Sequence, residues 1–182
     1  MRAVPTPIGG VVVVEAPVRG DARGFFVEVF HADKFAGLGL PTAWAQDNHS
    51  RSARHVLRGL HFQREQPQGK LVRPTSGVIW DVAVDLRRGS RTYGRWYGVT
   101  LEAGDGRQLY IPPGLAHGFV VLSDAADVSY KCTTPYHAAS DGAVLWSDPT
   151  LGVEWPLPAG VAPLVSARDA AAPPLAQIEP FG

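Results

Sequence analysis

The sequence predicts an all-β fold, an antiparallel sandwich or barrel. Twenty glycines and 16 prolines are spread through the 182 residues and divide the chain into short segments. The segments between them alternate between apolar and polar positions or are rich in β-branched and aromatic residues, as strands are. Many short strands at close spacing, with turn residues between them, are typical of sandwiches and barrels.

Eight segments carry the strand pattern most clearly. In chain order they are residues 10–16, 24–30, 69–75, 77–87, 95–103, 107–112, 117–123 and 126–133. In the longest of them, apolar residues alternate with Asp81 and Asp85, so the two carboxylates share one face. Residues 31–39 predict one short helix that ends in glycines. The Ala/Pro-rich chain from Pro156 onward predicts loops or a short helix that cover the barrel.

Composition limits the classes of function. Lys+Arg and Asp+Glu both number 17, so no global field draws the chain to nucleic acid or a membrane, and any anion must be bound locally. The single cysteine, Cys132, excludes an internal disulfide and a multi-cysteine metal site. The N-terminal valine run is too short to span a membrane and lacks a signal-peptide pattern, which predicts a cytoplasmic protein. No repeat or linker divides the chain, so we expect one domain over residues 1–182.

Residues 112–117, PPGLAH, have the P-x-G-x-x-H spacing of the second sequence motif of the cupin barrels, a jelly-roll superfamily. After this proline–glycine turn, His117 is expected to begin a new strand. In metal-binding cupins this histidine joins an earlier H-x-H pair and a glutamate. Here the pair reads His61-Phe62-Gln63, and an amide is a weak ligand beside imidazoles and carboxylates. Glu65 has the wrong spacing, so we expect no metal and no other cofactor.

His61 is the leading candidate for a proton-transfer residue, because a histidine accepts protons near neutral pH. Side chains two positions apart on a strand face the same way, so Gln63 would be its neighbour. Arg58 is three positions away and would join His61 only through a bulge, which Gly59 permits. A histidine base usually needs a carboxylate on its other nitrogen. Spacing leaves four candidates open: Asp47, Asp81, Asp85 and Asp169.

The remaining candidates each have two interpretations. Tyr130 and Tyr136 are either half-buried barrel aromatics or, beside a cation such as Lys131, a general acid. Four cations are either solvated strand-edge charges or phosphate ligands: Arg23, Arg58, Lys70 and Arg73. From these residues alone, an acid–base enzyme acting on an anionic ligand and a binding module both stay open.

Longer motifs resemble one family over nearly the whole chain, from DARGFFVE at residue 21 to VSARD at residue 165. Between them stand, in order, QDNHSRS, VLRGLHFQ, PQGKLVR, GVIWDVAVDLRRGSRTYGRW, LYIPPGLAHGFVVLSDAADVSYKCTTPY and WSDPTLGVEWP. The run resembles the dTDP-4-dehydrorhamnose 3,5-epimerase family. This resemblance implies a metal-free jelly-roll cupin, a homodimer and a nucleotide-linked 4-keto-6-deoxyhexose as substrate.

The resemblance also implies roles for individual residues. His61 matches the catalytic base and Asp169 the aspartate that pairs with it. Tyr130 matches the proton donor, and Tyr136 is the alternative donor or a substrate contact. Lys70 matches a lysine near the C4 oxygen of the sugar.

Further positions match ligand contacts in the family. The substrate contacts are Gln46, Asn48, Arg58, His117, Tyr136, Asp141 and Arg168. Arg23 and Glu28 match nucleotide contacts that reach across the dimer from an exchanged N-terminal strand. Asp141 stands where the family more often has glutamate, and Arg168 where it often has lysine, so charge is kept but reach changes. Arg73 matches no role and is expected to face solvent.

The implied reaction is epimerisation at C3 and C5 next to a C4 ketone. His61 would remove a proton, Lys70 would stabilise the enolate, and Tyr130 would return a proton from the opposite face. Residues 56–73 then predict two adjoining strands that supply one site. Three alternatives stay open: an epimerase acting at one carbon only, a non-catalytic nucleotide-sugar-binding cupin, and a metal-dependent cupin oxygenase that Gln63 disfavours.

Overall fold

The computed structural model describes residues 1–182 and consists mainly of antiparallel strands. The strands are β1 (Arg2–Pro5), β2 (Val12–Glu15), β3 (Val18–Asp21), β4 (Gly24–Val27), β5 (Gln46–Ala53), β6 (Leu57–Gln63), β7 (Lys70–Ser76), β8 (Val78–Asp85), β9 (Trp96–Glu102), β10 (Arg107–Ile111), β11 (Leu115–Val121), β12 (Ala125–Cys132) and β13 (Asp141–Ala143). The helices are α1 (Ala32–Gly37) and α2 (Ala167–Ala170), with 3-10 turns at Ala138–Ser140 and Leu175–Gln177. None of the helices is long and apolar enough to cross a membrane.

Two sheets form the walls of the barrel. One has the strand order β1-β2-β10-β7-β12-β5 and the other the order β13-β6-β11-β8-β9, while β3 and β4 form a separate hairpin. The predicted all-β jelly-roll class is confirmed. The expectation that β6 and β7 adjoin is wrong, because they are consecutive in the chain but lie in opposite sheets. Their residues therefore reach the site from two walls.

Three apolar clusters pack against the two sheets, one between them and one on each outer face. A cluster of 14 buried residues fills the space between them, with Val72 and Leu109 from one wall and Ile79 and Phe119 from the other. Helix α1 buries Phe35 on the outer face of the six-stranded sheet. The chain after β13 packs on the outer face of the five-stranded sheet, as the sequence predicted for the segment from Pro156.

Strand β8 is buried on both faces, although its sequence alternates. Asp81 and Asp85 are fully buried, which requires partners for both carboxylates. Asp85 accepts hydrogen bonds from Arg87, Ser90 and Thr92. Burial opposes ionisation of Asp85, but these hydrogen bonds outweigh it and lower its pKa to about 2. Asp85 is therefore structural, and Asp81 faces the barrel interior.

Candidate active site

A polar cavity of about 230 Å³ opens between the two sheets. The six-stranded sheet contributes Gln46, Asn48, Lys70 and Tyr130, and the five-stranded sheet contributes His61 and Gln63. A second cavity of about 440 Å³ meets the first at His61. The structure thus brings His61, Lys70 and Tyr130 around one space, as their motifs predicted.

His61 and Asp169 form a hydrogen-bonded pair. The His61 Nε2 lies 2.7 Å from Asp169 Oδ1, so an ionised Asp169 accepts the Nε2 proton and leaves Nδ1 with a free lone pair. Asp169 is only 3% exposed. Burial lowers the pKa of the His61 imidazole, and the hydrogen bond that His61 donates to Asp169 partly opposes this shift. The lowered pKa favours the uncharged form of the ring at neutral pH.

A β-bulge brings Arg58 onto the same face as His61. Along β6, His61 pairs with His117 but Arg58 pairs with Phe119, so three steps on β6 match two steps on β11. Gly59 occupies the bulge at a φ of 134°. A Cβ at this position would lie 2.6 Å from the Cα of Gly118 on the neighbouring strand β11. Only glycine fits this approach. The bulge expected from the sequence is confirmed.

Lys70 begins β7 on the wall opposite His61. Its strand partners are Cys132 and Ile111, and its ammonium makes no salt bridge or side-chain hydrogen bond in the described chain. Burial lowers the pKa of Lys70. A partly buried, unpaired ammonium facing a cavity is a donor available to a ligand oxygen.

The two candidate tyrosines have different surroundings. Tyr130 lies on the inner face of β12 and packs against the central core, and burial raises its pKa. The Tyr136 side chain lies at the mouth of the cavity in a residue that is 56% exposed. Its hydroxyl donates to Asp141 Oδ2 at 2.8 Å, which raises the pKa of Tyr136. The predicted cation partner, Lys131, is on the outer face with Asp47, so that part of the prediction is wrong.

Amide side chains and an ion pair frame the mouth of the cavity. Gln46 Oε1 accepts the backbone N–H of Tyr136 at 2.6 Å, and Gln46 Nε2 donates to Asn48 Oδ1 at 2.8 Å. Arg168 Nη1 lies 2.8 Å from Asp141 Oδ2. Burial opposes ionisation of Asp141, but Arg168 and Tyr136 outweigh it and hold the pKa of Asp141 below its usual value.

His117, expected as a substrate contact, is buried and lines neither of the two cavities. Its Nε2 is 2.9 Å from Asp81 Oδ2, and both residues are buried. Strand β11 begins at Leu115, two residues before the predicted start at His117.

Of the four carboxylates that spacing left open, Asp169 is the partner of His61. Asp81 pairs with His117, Asp85 with Arg87 and Asp47 with Lys131.

Arg23 and Glu28 do not line this cavity in the single chain. Arg23 ends in an ion pair with Asp21 on the β3–β4 hairpin, and Glu28 pairs with Lys34. Arg73 lies on the outer face of its sheet, half-buried rather than fully solvated. No cluster of three His, Cys, Asp or Glu side chains that fits a metal ion is present in residues 1–182.

Sequence reasoning missed two polar contacts of the site. Ser52 Oγ accepts Arg58 Nε–H at 3.0 Å, and Ser166 Oγ accepts the backbone N–H of Asp169 at 3.0 Å. The spacing Ser166-x-x-Asp169 is a helix-capping signal and would have identified the second contact. No local signal marks Ser52, since its partner comes from another strand.

Comparisons with known proteins show which family the chain resembles. The family model described as dTDP-4-dehydrorhamnose 3,5-epimerase matches residues 5–177. The enzyme of that name from Salmonella typhimurium is 50% identical over 97% of this chain and 97% of its own. The crystal structure of a dTDP-6-deoxy-D-glucose-3,5-epimerase from Legionella pneumophila, in complex with dTDP-4-keto-L-rhamnose, is 46% identical. It covers 98% of this chain and 94% of its own, with a TM-score of 0.92.

A relative with narrower specificity shares the same fold. ChmJ from Streptomyces bikiniensis, a 3'-monoepimerase crystallised with dTDP-quinovose, is 36% identical. It covers 97% of this chain and 88% of its own, with a TM-score of 0.88. The fold therefore accommodates epimerases that differ in the carbons they invert.

Proposed function

Because the chain belongs to the dTDP-4-dehydrorhamnose 3,5-epimerase family, we propose that it converts dTDP-4-dehydro-6-deoxyglucose to dTDP-4-dehydrorhamnose by inverting C3 and C5. The observation that carries this proposal is the placement of a paired histidine and a free lysine on opposite walls of one cavity. His61 Nε2 is held 2.7 Å from Asp169, and Lys70 has no ionic partner of its own.

Each inversion needs one proton removed and one returned. His61 Nδ1 takes the proton from the carbon next to the C4 ketone, and the C–H electron pair forms the enolate double bond. The negative charge moves to the C4 oxygen, where the Lys70 ammonium stabilises it. Tyr130 then gives its hydroxyl proton to the opposite face of that carbon. Before the second carbon reacts, the His61 imidazolium releases its proton to solvent and the Tyr130 phenolate takes a proton up from solvent.

The second cavity suits the nucleotide part of the substrate. It is lined by Arg58 and Arg168, beside the apolar side chains of Leu164 and Val165. Guanidinium forks bind phosphate oxygens, and the apolar residues offer contact area to a base or sugar ring. Binding there would position the ring of the sugar against His61, which converts remote binding energy into orientation.

The functional unit we propose is a homodimer in which the N-terminal hairpin β3–β4 is exchanged. The hairpin exposes Phe25 and Phe26 at 62% and 69%, an unusual exposure for adjacent aromatic side chains. All of β3 is exposed as well. Docking this hairpin on a second copy would bury the aromatic rings and carry Arg23 and Glu28 to the partner's nucleotide.

The reaction is tested by incubating the protein with dTDP-4-keto-6-deoxyglucose in deuterated water and following the product by NMR. We expect deuterium at both C3 and C5 and an L-configured product. Inversion with label at a single carbon would instead establish the alternative, a C3- or C5-monoepimerase of a deoxysugar pathway. The likeness to ChmJ, a 3'-monoepimerase, is the observation behind the C3 form of this alternative. Tight binding with no exchange at either carbon would make the chain a binding protein.

Measuring deuterium exchange and inversion separately also distinguishes the roles of the two tyrosines. Without the proton donor, His61 can still return a proton to the face it came from. Tyr130→Phe is therefore expected to retain deuterium exchange while inversion falls by about 10²-fold or more. Tyr136→Phe is expected to keep inversion within a few fold, because its hydroxyl is at the cavity mouth and bonded to Asp141. The reverse pattern in the two variants would assign the donor role to Tyr136.

A further inference from the structure

The carboxylate partner of His61 is carried by a single helical turn. Helix α2 spans only Ala167–Ala170, and a helix this short is not stable by itself. Its position must therefore come from contacts outside the helical hydrogen bonds. The residue before it, Ser166, has an extended backbone and caps the turn.

The cap acts on Asp169 itself. Ser166 Oγ accepts the backbone N–H of Asp169 at 3.0 Å, and no other acceptor takes this N–H. In a reciprocal capping box the third residue would turn its side chain back to the first. Here Asp169 Oδ1 faces His61 instead, and Oδ2 accepts the Gly59 N–H at 3.4 Å. The serine satisfies the turn while the carboxylate stays free for the histidine.

A second polar contact of α2, the ion pair between Arg168 and Asp141, has a different geometry. Arg168 Nη1 pairs with Asp141 Oδ2 at 2.8 Å, which joins the turn to β13 through a side chain that is 52% exposed. That pair restrains the outer side of the turn but makes no contact with the Asp169 backbone. Ser166 is the one side chain that hydrogen-bonds to the Asp169 backbone.

We propose that Ser166 is a positioning residue for proton abstraction, acting through Asp169 on His61. Its hydroxyl sets the direction from which the carboxylate meets Nε2, and so the orientation of the imidazole. The inference rests on the proposed function for its catalytic consequence, but not for its effect on the His61–Asp169 pair.

The test is the Ser166→Ala variant, with kcat, the pH profile of kcat/KM and the His61 ring titration followed by NMR. We expect kcat to fall by about 2- to 30-fold, the range that loss of such a cap represents. The hydrogen bond that His61 donates to Asp169 raises the pKa of His61, so a loosened carboxylate moves the His61 titration and the acid limb to lower pH.

Companion variants separate positioning from folding. Ser166→Thr keeps a hydroxyl and is expected to restore both kcat and the His61 titration. Ser166→Gly suits a cap backbone but lacks the hydroxyl, so it tests the idea if Ser166→Ala does not fold. Ser123→Ala is a matched control, because Ser123 Oγ accepts the Val78 N–H at 2.8 Å and lines neither cavity. It should leave the titration unchanged.

A folded Ser166→Ala or Ser166→Gly protein with the wild-type His61 titration would overturn the positioning role. So would a Ser166→Thr variant that behaves like Ser166→Ala. Failure of the proposed function would give a different result. The unaltered protein would then show no turnover, while the His61 titration would still differ between the unaltered protein and the Ser166→Ala variant.

Discussion

Replacing His61 by alanine is expected to abolish solvent deuterium incorporation at C3 and C5 and to lower kcat by about 10²–10⁴-fold. No other histidine lines the cavity, because His117, although also paired with an aspartate, is buried away from it, and Lys70 is protonated in its proposed role. Proton abstraction precedes both inversions, so exchange and epimerisation should be lost together. The measurement is NMR of the sugar in deuterated water.

His49 provides the matched control for His61. Its Nε2 lies 3.1 Å from Asp127 Oδ1, so it is also a histidine paired with an aspartate. It stands on β5, with an exposed side chain, and lines neither cavity. His49→Ala should keep wild-type exchange. Exchange at normal rate in His61→Ala would remove His61 from the base role.

The pH profile offers a second check on His61. A base must be neutral, and burial lowers the pKa of this imidazole. The acid limb of kcat/KM in the unaltered enzyme should therefore lie below the ordinary histidine value, and activity should persist into mildly acidic solution. An acid limb above that value would mean that another group controls the reaction.

The sequence predicts which residues lie around this site better than it predicts which sheet each of their strands joins. Alternation and turn residues identify strands because they report local backbone preference. They do not report which sheet a strand joins, so β6 and β7 were expected side by side and lie on opposite walls. For the same reason Asp81 and Asp85 gave no sign of being buried, since β8 is covered on both faces by segments distant in sequence.

Side-chain partners that are distant in sequence are equally hard to predict from local patterns. Spacing left four carboxylates for His61, and the choice of Asp169 depends on a turn 108 residues away. The bulge at Gly59 was predictable because its cause is local: Arg58 and His61 stand at opposite parity, and only a glycine between them permits the shift. Arg23 and Glu28 remain predicted nucleotide contacts, because the single chain places Arg23 on the hairpin and Glu28 directly after it, outside the cavity.

Replacing Lys70 by methionine is expected to lower kcat by about 10²–10³-fold, the cost of removing one donor from a developing oxyanion. Methionine keeps an unbranched side chain, so it removes the charge with little change in packing. Lys131→Met is the control, because Lys131 follows Tyr130 on the outer face and pairs with Asp47 at 2.7 Å. Its loss should leave kcat within a few fold. Equal effects of the two substitutions would contradict a specific role for Lys70.

The basic limb of the pH profile distinguishes charge from shape at Lys70. Burial lowers the pKa of Lys70 and raises that of Tyr130, so it moves loss of the ammonium proton to lower pH and loss of the phenol proton to higher pH. Activity should therefore fall on the basic side as Lys70 titrates. Lys70→Arg keeps the cation to higher pH, and any activity it retains should show a basic limb displaced upward. An unmoved limb in Lys70→Arg would assign the basic titration to another group and leave the enolate without its proposed counter-charge.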